Sequence, residues 1–406
     1  MNINFTAPFC STSYGMSALN ILHELTLLGH KVSIWPIGHI DGNDVPVKFH
    51  DCLRASLENA KFFDPEAPSV RLYHQFDLAQ HTVGRGKKIG WPIFELDQFN
   101  KQELHHLLSQ GELIVCSQWA KDIVHNTSNG MINKIHVVPL GVDTRIFYPT
   151  PKVVANKTVF INIGKKELRK GHDIIIECFE KAFTPEDNVE LWMIWGNRIL
   201  DNINEAESAS WTNLYANSIM RKKIKQQWKV SGNNIQGFNY TWEQYKEAVA
   251  KDHNVREWLP TQEAIAALLN RADCAIFPSR AEGFNLDLLE AMACGIQVLT
   301  TYYSAHTEFV SCKNPAGNQD DENNLLDNAW WAASDKLESA YDGIWFHGQG
   351  NWLLIDDNIK KGFINQMQIV HQMKCRGDDM VNKDGIKTGQ LFSWRNSAKK
   401  LVEAIT

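Results

Sequence analysis

The stretch "AEGFNLDLLEAMACG", residues 281–295, places Glu282 in a glycine-bearing turn and Glu290 eight residues later inside a helical pattern. The apolar run "DCAIFP" (273–278) before it reads as a buried strand, and "QVLTT" (297–301) after it reads as the next strand. Strand, turn, helix and strand in that order make one βαβ unit, with Glu282 at the carboxyl edge of a parallel sheet. The helix is expected to start near Asn285, which leaves the N–H groups of Phe284, Asn285 and Leu286 without intrahelical partners. Gly283 leaves room for a ligand to reach that backbone, so the turn is a candidate anion site. Glu290, in the second turn, is a carboxylate on a helix that must pack into a core, and it calls for a partner.

The same alternation extends outward from this unit. "TVFINIG" (158–164), a helix over 172–183, "VELWMIWG" (189–196) and a helix over 261–270 precede it. Nearer the N-terminus, "INF" (3–5) leads into a turn holding Gly15. A helix with Ile21, Leu25 and Leu28 on one face follows, stopped by Gly29. Strands "KVSIW" (31–35), "VRLY" (70–73), "KIGW" (88–91), "ELIVC" (112–116) and "KIHVV" (134–138) come next, with helices near 100–109 and 118–126. "PLGVDTRIFYPTP" (139–151) has three prolines and no periodicity, and reads as a linker.

The expectation is an α/β chain of two doubly wound, Rossmann-like domains, 1–150 and 151–389, facing an interdomain cleft. A final helix, 390–406, is expected to pack back on the first domain. Two stretches exceed ordinary loop lengths and read as ordered insertions. One, near 197–256, carries the basic "RKKIKQQWK" (221–229). The other, near 311–355, carries Trp330, Trp331, Trp345 and Trp352, read as core fillers with sugar stacking as the alternative.

Composition narrows the classes. A chain of 406 residues is too long for one ordinary core, which agrees with two domains. The net charge of −6 argues against bulk electrostatic coating of nucleic acid but leaves room for a local basic patch. Eight cysteines lie far apart with no C-x-x-C pair, which suits reduced thiols better than a disulfide frame or a zinc site. No basic leader precedes an apolar run at the N-terminus, and no window of 18 apolar residues occurs. The chain therefore reads as having no transmembrane segment and as cytoplasmic, in a host cytoplasm if phage-encoded, with peripheral contact to an anionic surface left open.

A second motif reinforces the anion site. "NIGKKELRKGHDIIIECF" (162–179) is another strand, glycine and helix, with Gly164 at the turn and Lys165, Lys166, Arg169 and Lys170 clustered in the loop. Clustered cations facing a helix start suit a diphosphate, whose charge grows as its bond to a sugar breaks. Gly15 is expected to approach the same cleft from the first domain.

These residues resemble the retaining glycosyltransferases of the GT-B fold, specifically glycosyltransferase family 4. "PSRAEGFNLDLLEAMACG" is similar to the family's E-x7-E motif, "GKKELRKGHD" to its phosphate-binding loop, "KIHVVPLGVDTRIFYP" to its interdomain segment, and "FSWRNSAKKLVEAI" to its terminal helix. The resemblance implies that Glu282 faces the hydroxyls of the donor sugar and that Glu290 binds the ribose hydroxyls of the nucleotide. It implies that backbone groups from Gly283 through Phe284 and Asn285 to Leu286 hold the distal phosphate, and that Lys165 and Lys170, with Arg169, neutralise the diphosphate. It further implies retention by front-face displacement, a nucleotide-sugar co-substrate, most simply a UDP-sugar, and no obligatory cofactor or metal.

The chain departs from the family pattern in two places. Asn285-Leu286-Asp287 stands where Gly-Leu-Pro is frequent, and "WPIFELD" (91–97) stands where many members have a histidine near the donor sugar. Glu95 is the substitute candidate there, with His74, after the preceding strand, as the other. The expected acceptor is a hydroxyl of a saccharide or lipid-linked glycan. The alternatives are a hydroxymethylated DNA base, as in phage enzymes, for which "RGKK" (85–88) and the basic insertion would form an anion-binding rim, and a non-catalytic sugar-nucleotide-binding protein.

Overall fold

The computed structural model describes residues 1–151, 157–165, 167–184, 186–196, 235–237, 261–311, 327–343 and 345–406. The basic stretch 221–229, Lys166 and most of the first insertion lie outside the described residues.

The N-terminal unit holds six parallel strands. In chain order they are β1 (Asn2–Ala7), β2 (Lys31–Pro36), β3 (Ser69–Tyr73), β4 (Lys88–Pro92), β5 (Glu112–Val115) and β6 (Ile135–Val137). Helices α1 (Ser13–Leu27), α2 (His50–Ala60), α3 (Lys101–Leu108) and α4 (Gln118–Thr127) connect them. Their ends follow local chemistry. Gly29, at φ +81°, ends the α1 turn, and Asn100 with Glu103 closes a reciprocal capping box at the start of α3. The sheet order is β2-β1-β3-β4-β5-β6, so its direction of winding reverses between β1 and β3.

The second sheet contains β7 (Thr158–Lys165), β8 (Val189–Gly196), β9 (Ile235–Gly237), β10 (Cys274–Phe277), β11 (Gln297–Thr301) and β12 (Trp330–Ala332). Its order, β12-β11-β10-β7-β8-β9, reverses between β7 and β10. Helices α5 (His172–Ala182), α6 (Gln262–Leu269) and α7 (Leu286–Ala293) belong to this unit. In open parallel sheets, ligands bind in the crevice beyond the strand ends at such a reversal. The two motifs read from the sequence follow β7 and β10, the strands that flank it.

An antiparallel hairpin, β13 (Leu337–Tyr341) and β14 (His347–Leu353), precedes α8 (Asp357–Arg376), α9 (Lys383–Leu391) and α10 (Trp394–Ile405). Helix α10 lies against α1, with Arg395 3.8 Å from Glu24, and Val142 of the connecting segment bridges to Ser393. Gly141 permits that crossing, because a Cβ there would sit 2.4 Å from the Trp394 nitrogen. A continuous apolar core runs through the junction, joining Ile93 and Leu140 to Phe284, Val298 and Trp394.

The tryptophans of the second insertion divide. Trp352 is fully buried in the cluster under the hairpin, with Phe346 and Leu168. Trp330 and Trp331 are half-buried on β12, and Trp331 stacks on Tyr302 at 4.8 Å. Among the described residues the cysteines outside that insertion are free thiols, and no helix is long and apolar enough to cross a membrane.

Candidate functional site

Two loops meet at the β7/β10 reversal. After β7 the chain makes one tight turn through Leu168–Lys170 and passes Gly171 at φ +71°. A side chain at Gly171 would place Cβ 2.0 Å from the Pro278 carbonyl oxygen, so glycine lets the two loops touch. Arg280 then fastens them. Its backbone N–H donates to the Arg169 carbonyl at 2.7 Å, and its guanidinium donates to the Leu168 carbonyl at 2.7 Å and to both Asp173 oxygens at 3.0 Å. The Arg280–Asp173 pair is buried and bidentate, a geometry that fixes orientation as well as charge.

Glu282 lies at the centre of what this clamp builds. Arg169 donates to its Oε2 at 2.7 Å; Ser279 and Lys170 reach its Oε1 at 2.7 and 2.9 Å. Its N–H donates to the Ser304 hydroxyl at 2.8 Å. Burial alone would raise its pKa, but Lys170 and Arg169 outweigh that and hold it at about 2. Glu167, which the sequence reading passed over, accepts from Arg169 at 2.8 Å and pairs with Lys165 at 2.7 Å; Arg169 and Lys165 overcome its burial and bring it to about 2. Arg169 also donates to the Ala281 carbonyl at 2.7 Å and lies 3.8 Å from Glu95.

The cations expected to face a diphosphate are thus held by carboxylates in the unliganded chain. Asp287 adds another, 3.4 Å from Lys170. Its pKa is raised by burial, with Lys170 acting in the opposite sense. Gly164 opens the space between these groups, since a Cβ there would meet Asp287, His172 and Lys170 at 3.6–3.8 Å.

Helix α7 starts as the pattern at 281–295 requires. Asn285 adopts the left-handed conformation, φ +75°, and its side chain accepts from the Leu288 N–H. The N–H groups of Gly283, Phe284, Asn285, Leu286 and Asp287 meet no acceptor among the described residues. Phe284 is buried against Phe309, which anchors the turn, and a Cβ at Gly283 would come 2.7 Å from Ile93 of the other unit. Glu290 is half-buried one turn into the helix. It has no hydrogen-bond or ion-pair partner among the described residues, and burial, with Asp287 adding to it, pushes its pKa well up.

Glu95 and His74 face this site from the first unit. Glu95 follows β4, and its pKa is raised by burial against the opposing pull of Arg169. His74 follows β3; burial lowers it to about 4, so the ring is neutral at physiological pH, and its Nδ1 is 2.9 Å from the Tyr14 hydroxyl.

Two expectations change. Gly15 is not in a turn but inside the first turn of α1, where a Cβ would sit 2.3 Å from the Cys10 carbonyl oxygen; it serves loop packing on the helix. "RGKK" precedes β4 and so lies at the amino edge of the sheet, away from the cleft. Arg85 there pairs with Glu66 and Lys87 with Glu112. Sequence reasoning also missed Glu167, Ser279, Ser304 and the Arg280–Asp173 clamp. Arg280 stood beside Glu282 in the motif, but nothing in sequence spacing links it to Asp173.

Comparison with known proteins bears on the fold and the family. The model of the family described as "Glycosyl transferases group 1" matches residues 218–328, a span that includes Glu282 and Glu290. A provisionally named glycosyltransferase 45 of Sulfolobus islandicus filamentous virus is 24% identical over 183 residues, 45% of this chain and 48% of that protein. The MMP alpha-(1->4)-mannosyltransferase of Mycolicibacterium hassiacum is 28% identical over 198 residues, 49% of this chain and 38% of that protein. Both matches thus span less than half the length of these relatives. Sucrose-phosphate synthase from Thermosynechococcus elongatus superposes with a TM-score of 0.62 at 14% identity, covering 99% of this chain and 98% of that one. The Anabaena protein HepE in complex with UDP and glucose does so with a TM-score of 0.59 at 13% identity, with the same coverage. The fold is GT-B, and the matches to the family and to both curated relatives are matches to glycosyltransferases.

Proposed function

We propose that the chain is a retaining glycosyltransferase that moves a sugar from a nucleoside-diphosphate donor, a UDP-sugar, to a hydroxyl acceptor. One observation carries the reading: Lys165, Lys170 and the unengaged N–H groups of Gly283 to Asp287 converge on one crevice at the β7/β10 reversal. That arrangement suits a diphosphate, because cations and a helix start both stabilise negative charge that grows on the leaving group. UDP is favoured as the nucleotide because HepE was crystallised with UDP and glucose.

In this reading the donor phosphates draw Lys165 and Lys170 away from Glu167, Glu282 and Asp287. The freed Glu282 accepts hydroxyls of the donor sugar, while Glu290 takes the ribose hydroxyls, which fits a half-buried carboxylate without a partner among the described residues. The acceptor oxygen forms its bond to the anomeric carbon on the face from which the phosphate oxygen departs. The acceptor proton passes to that oxygen, and a nucleoside diphosphate leaves. No protein nucleophile and no obligatory metal or cofactor enters this scheme.

Release of nucleoside diphosphate from UDP-, GDP- and ADP-sugars tests it, with Glu282→Ala as the control. Turnover of one donor by the wild type, lost in the variant, is expected. Silence from every donor would return the chain to the sugar-nucleotide-binding class.

A further inference from the structure

The first sheet has its own reversal, between β1 and β3, and the crevice there faces the donor site. Tyr14, from the start of α1, and His74, after β3, meet in it. The Tyr14 hydroxyl lies 2.9 Å from His74 Nδ1 and donates to the Ile93 carbonyl at 3.1 Å. The His74 ring stacks on Phe76 at 4.8 Å with the planes 12° apart. Phe76 is 48% exposed even so, which leaves an aromatic surface unburied at this edge. Ile93, whose carbonyl accepts from Tyr14, would lie 2.7 Å from a Cβ at Gly283, so the ledge adjoins the turn that begins α7.

The first unit's side of the ledge carries charge of one sign. The segments leaving the carboxyl ends of β1 to β5, residues 8–12, 37–46, 74–77, 93–100 and 116–117, contain Asp41, Asp44, Asp77, Glu95 and Asp97 and no lysine or arginine. Four of these carboxylates are engaged, Asp41 by accepting from the Asn43 N–H at 2.9 Å. Asp77 is held by Arg71 at 2.6 Å, Asp44 accepts from Ser11, and Asp97 accepts from the Asn351 N–H at 2.8 Å. Among the described residues Glu95 has no closer charged partner than Arg169 at 3.8 Å. A phosphate entering here would meet the first unit's carboxylates, and the cation that faces them, Arg169, is already held by Glu167 and Glu282. An uncharged polyol would meet a hydrogen-bond acceptor beside an aromatic face.

We propose, resting on the transferase reading, that the Tyr14–His74–Phe76 ledge and Glu95 form the acceptor subsite and that it takes an uncharged sugar ring, stacked on Phe76 with a hydroxyl on Glu95. Phosphorylated glycans, anionic lipid headgroups and DNA are disfavoured by the same surface.

The test uses the full chain. With a turned-over donor, nucleotide release is measured with maltose, lactose and cellobiose, and separately with glucose 6-phosphate, phosphatidylinositol vesicles and hydroxymethylated duplex DNA. Stimulation by a neutral disaccharide is expected, with Phe76→Ala raising its KM by about tenfold, the scale of one aromatic contact. Preference for a phosphate-bearing acceptor overturns the proposal, as does donor hydrolysis that no neutral sugar stimulates. Saturation-transfer NMR with the disaccharides and no donor separates the two readings. Binding lost in Phe76→Ala supports the subsite even if no donor turns over, whereas undiminished binding in Phe76→Ala, or none to the wild type, refutes it.

Discussion

Glu290→Gln should stabilise the empty protein while weakening its hold on nucleotide. The carboxyl is half-buried, lacks a partner among the described residues and titrates well above its ordinary range because burial disfavours the charged form. The folded chain therefore binds the Glu290 proton more tightly than the unfolded chain does. Below the unfolded pKa, about 4.5, both states are protonated and Glu290 costs nothing. As pH rises from there toward the folded value, the penalty grows; above that value it is constant. The amide in Glu290→Gln would be no better paired, so the variant relieves only the cost of the charge. A tenfold change in proton affinity is worth about 1.4 kcal/mol, and the partial exposure of Glu290 discounts the gain to about 1 kcal/mol. About 1 kcal/mol corresponds to roughly 2–4 °C in Tm for a domain of 150–250 residues. Thermal unfolding of Glu290→Gln against wild type at pH 7.5 and pH 4 should thus show the variant higher by that amount at pH 7.5, with the gap closing at pH 4. UDP should shift the variant's Tm less than it shifts the wild type's. A variant that melts at or below the wild-type temperature at pH 7.5 would refute the claim that an unpaired charge is stored there for a ligand.

Other outcomes follow from the ion-pair network. Glu282 and Glu167, both held near pH 2, stabilise the fold above their unfolded values and lose that contribution as pH falls toward 2. Acid titration followed by circular dichroism should therefore show a transition below about pH 4.5 that is less steep in Glu167→Gln. Asp287→Asn removes a negative charge from beside Lys170 and should lower the donor KM by roughly tenfold, since a like charge ~4 Å away opposes a phosphate by about 1–4 kcal/mol; a raised KM would show that Asp287 helps to hold the donor. Gly171→Ala should destabilise by about 1–3 kcal/mol or more, because the left-handed backbone and the Pro278 carbonyl both oppose a side chain; unchanged urea unfolding would contradict the close approach of the loops.

Much of the fold was legible because both sheets are parallel and most of their strands are buried, so they read as short apolar runs broken by helical periodicity. Helix α2 went unread. Its buried face rests on Cys52, Leu53 and Ser56, too few and too weakly apolar to mark a periodic stripe. The hairpin β13–β14 was seen only as a tryptophan-rich insertion, since its partners, Leu96 and Leu168, come from distant loops. At the site, glycine and helix-start chemistry identified where an anion can bind. The state of the cations was not legible. Lys165, Arg169 and Lys170 look alike in sequence, and only the fold brings Glu95, Glu167, Glu282 and Asp287 around them. The direction of "RGKK" was lost for a related reason: a basic run before a strand says nothing until the strand's polarity in the sheet is known.

The most direct test of the central claim is calorimetric titration of UDP and UMP into the wild type and into a Lys165→Ala, Lys170→Ala double variant. If the crevice between the β7 loop and the start of α7 holds a diphosphate, UDP should bind the wild type more tightly than UMP. The double variant should lose about 100-fold or more for UDP, the scale of two charge-assisted contacts, and much less for UMP. Equal affinity for UDP and UMP in the wild type, or a double variant that binds UDP unchanged, would contradict the assignment of that crevice.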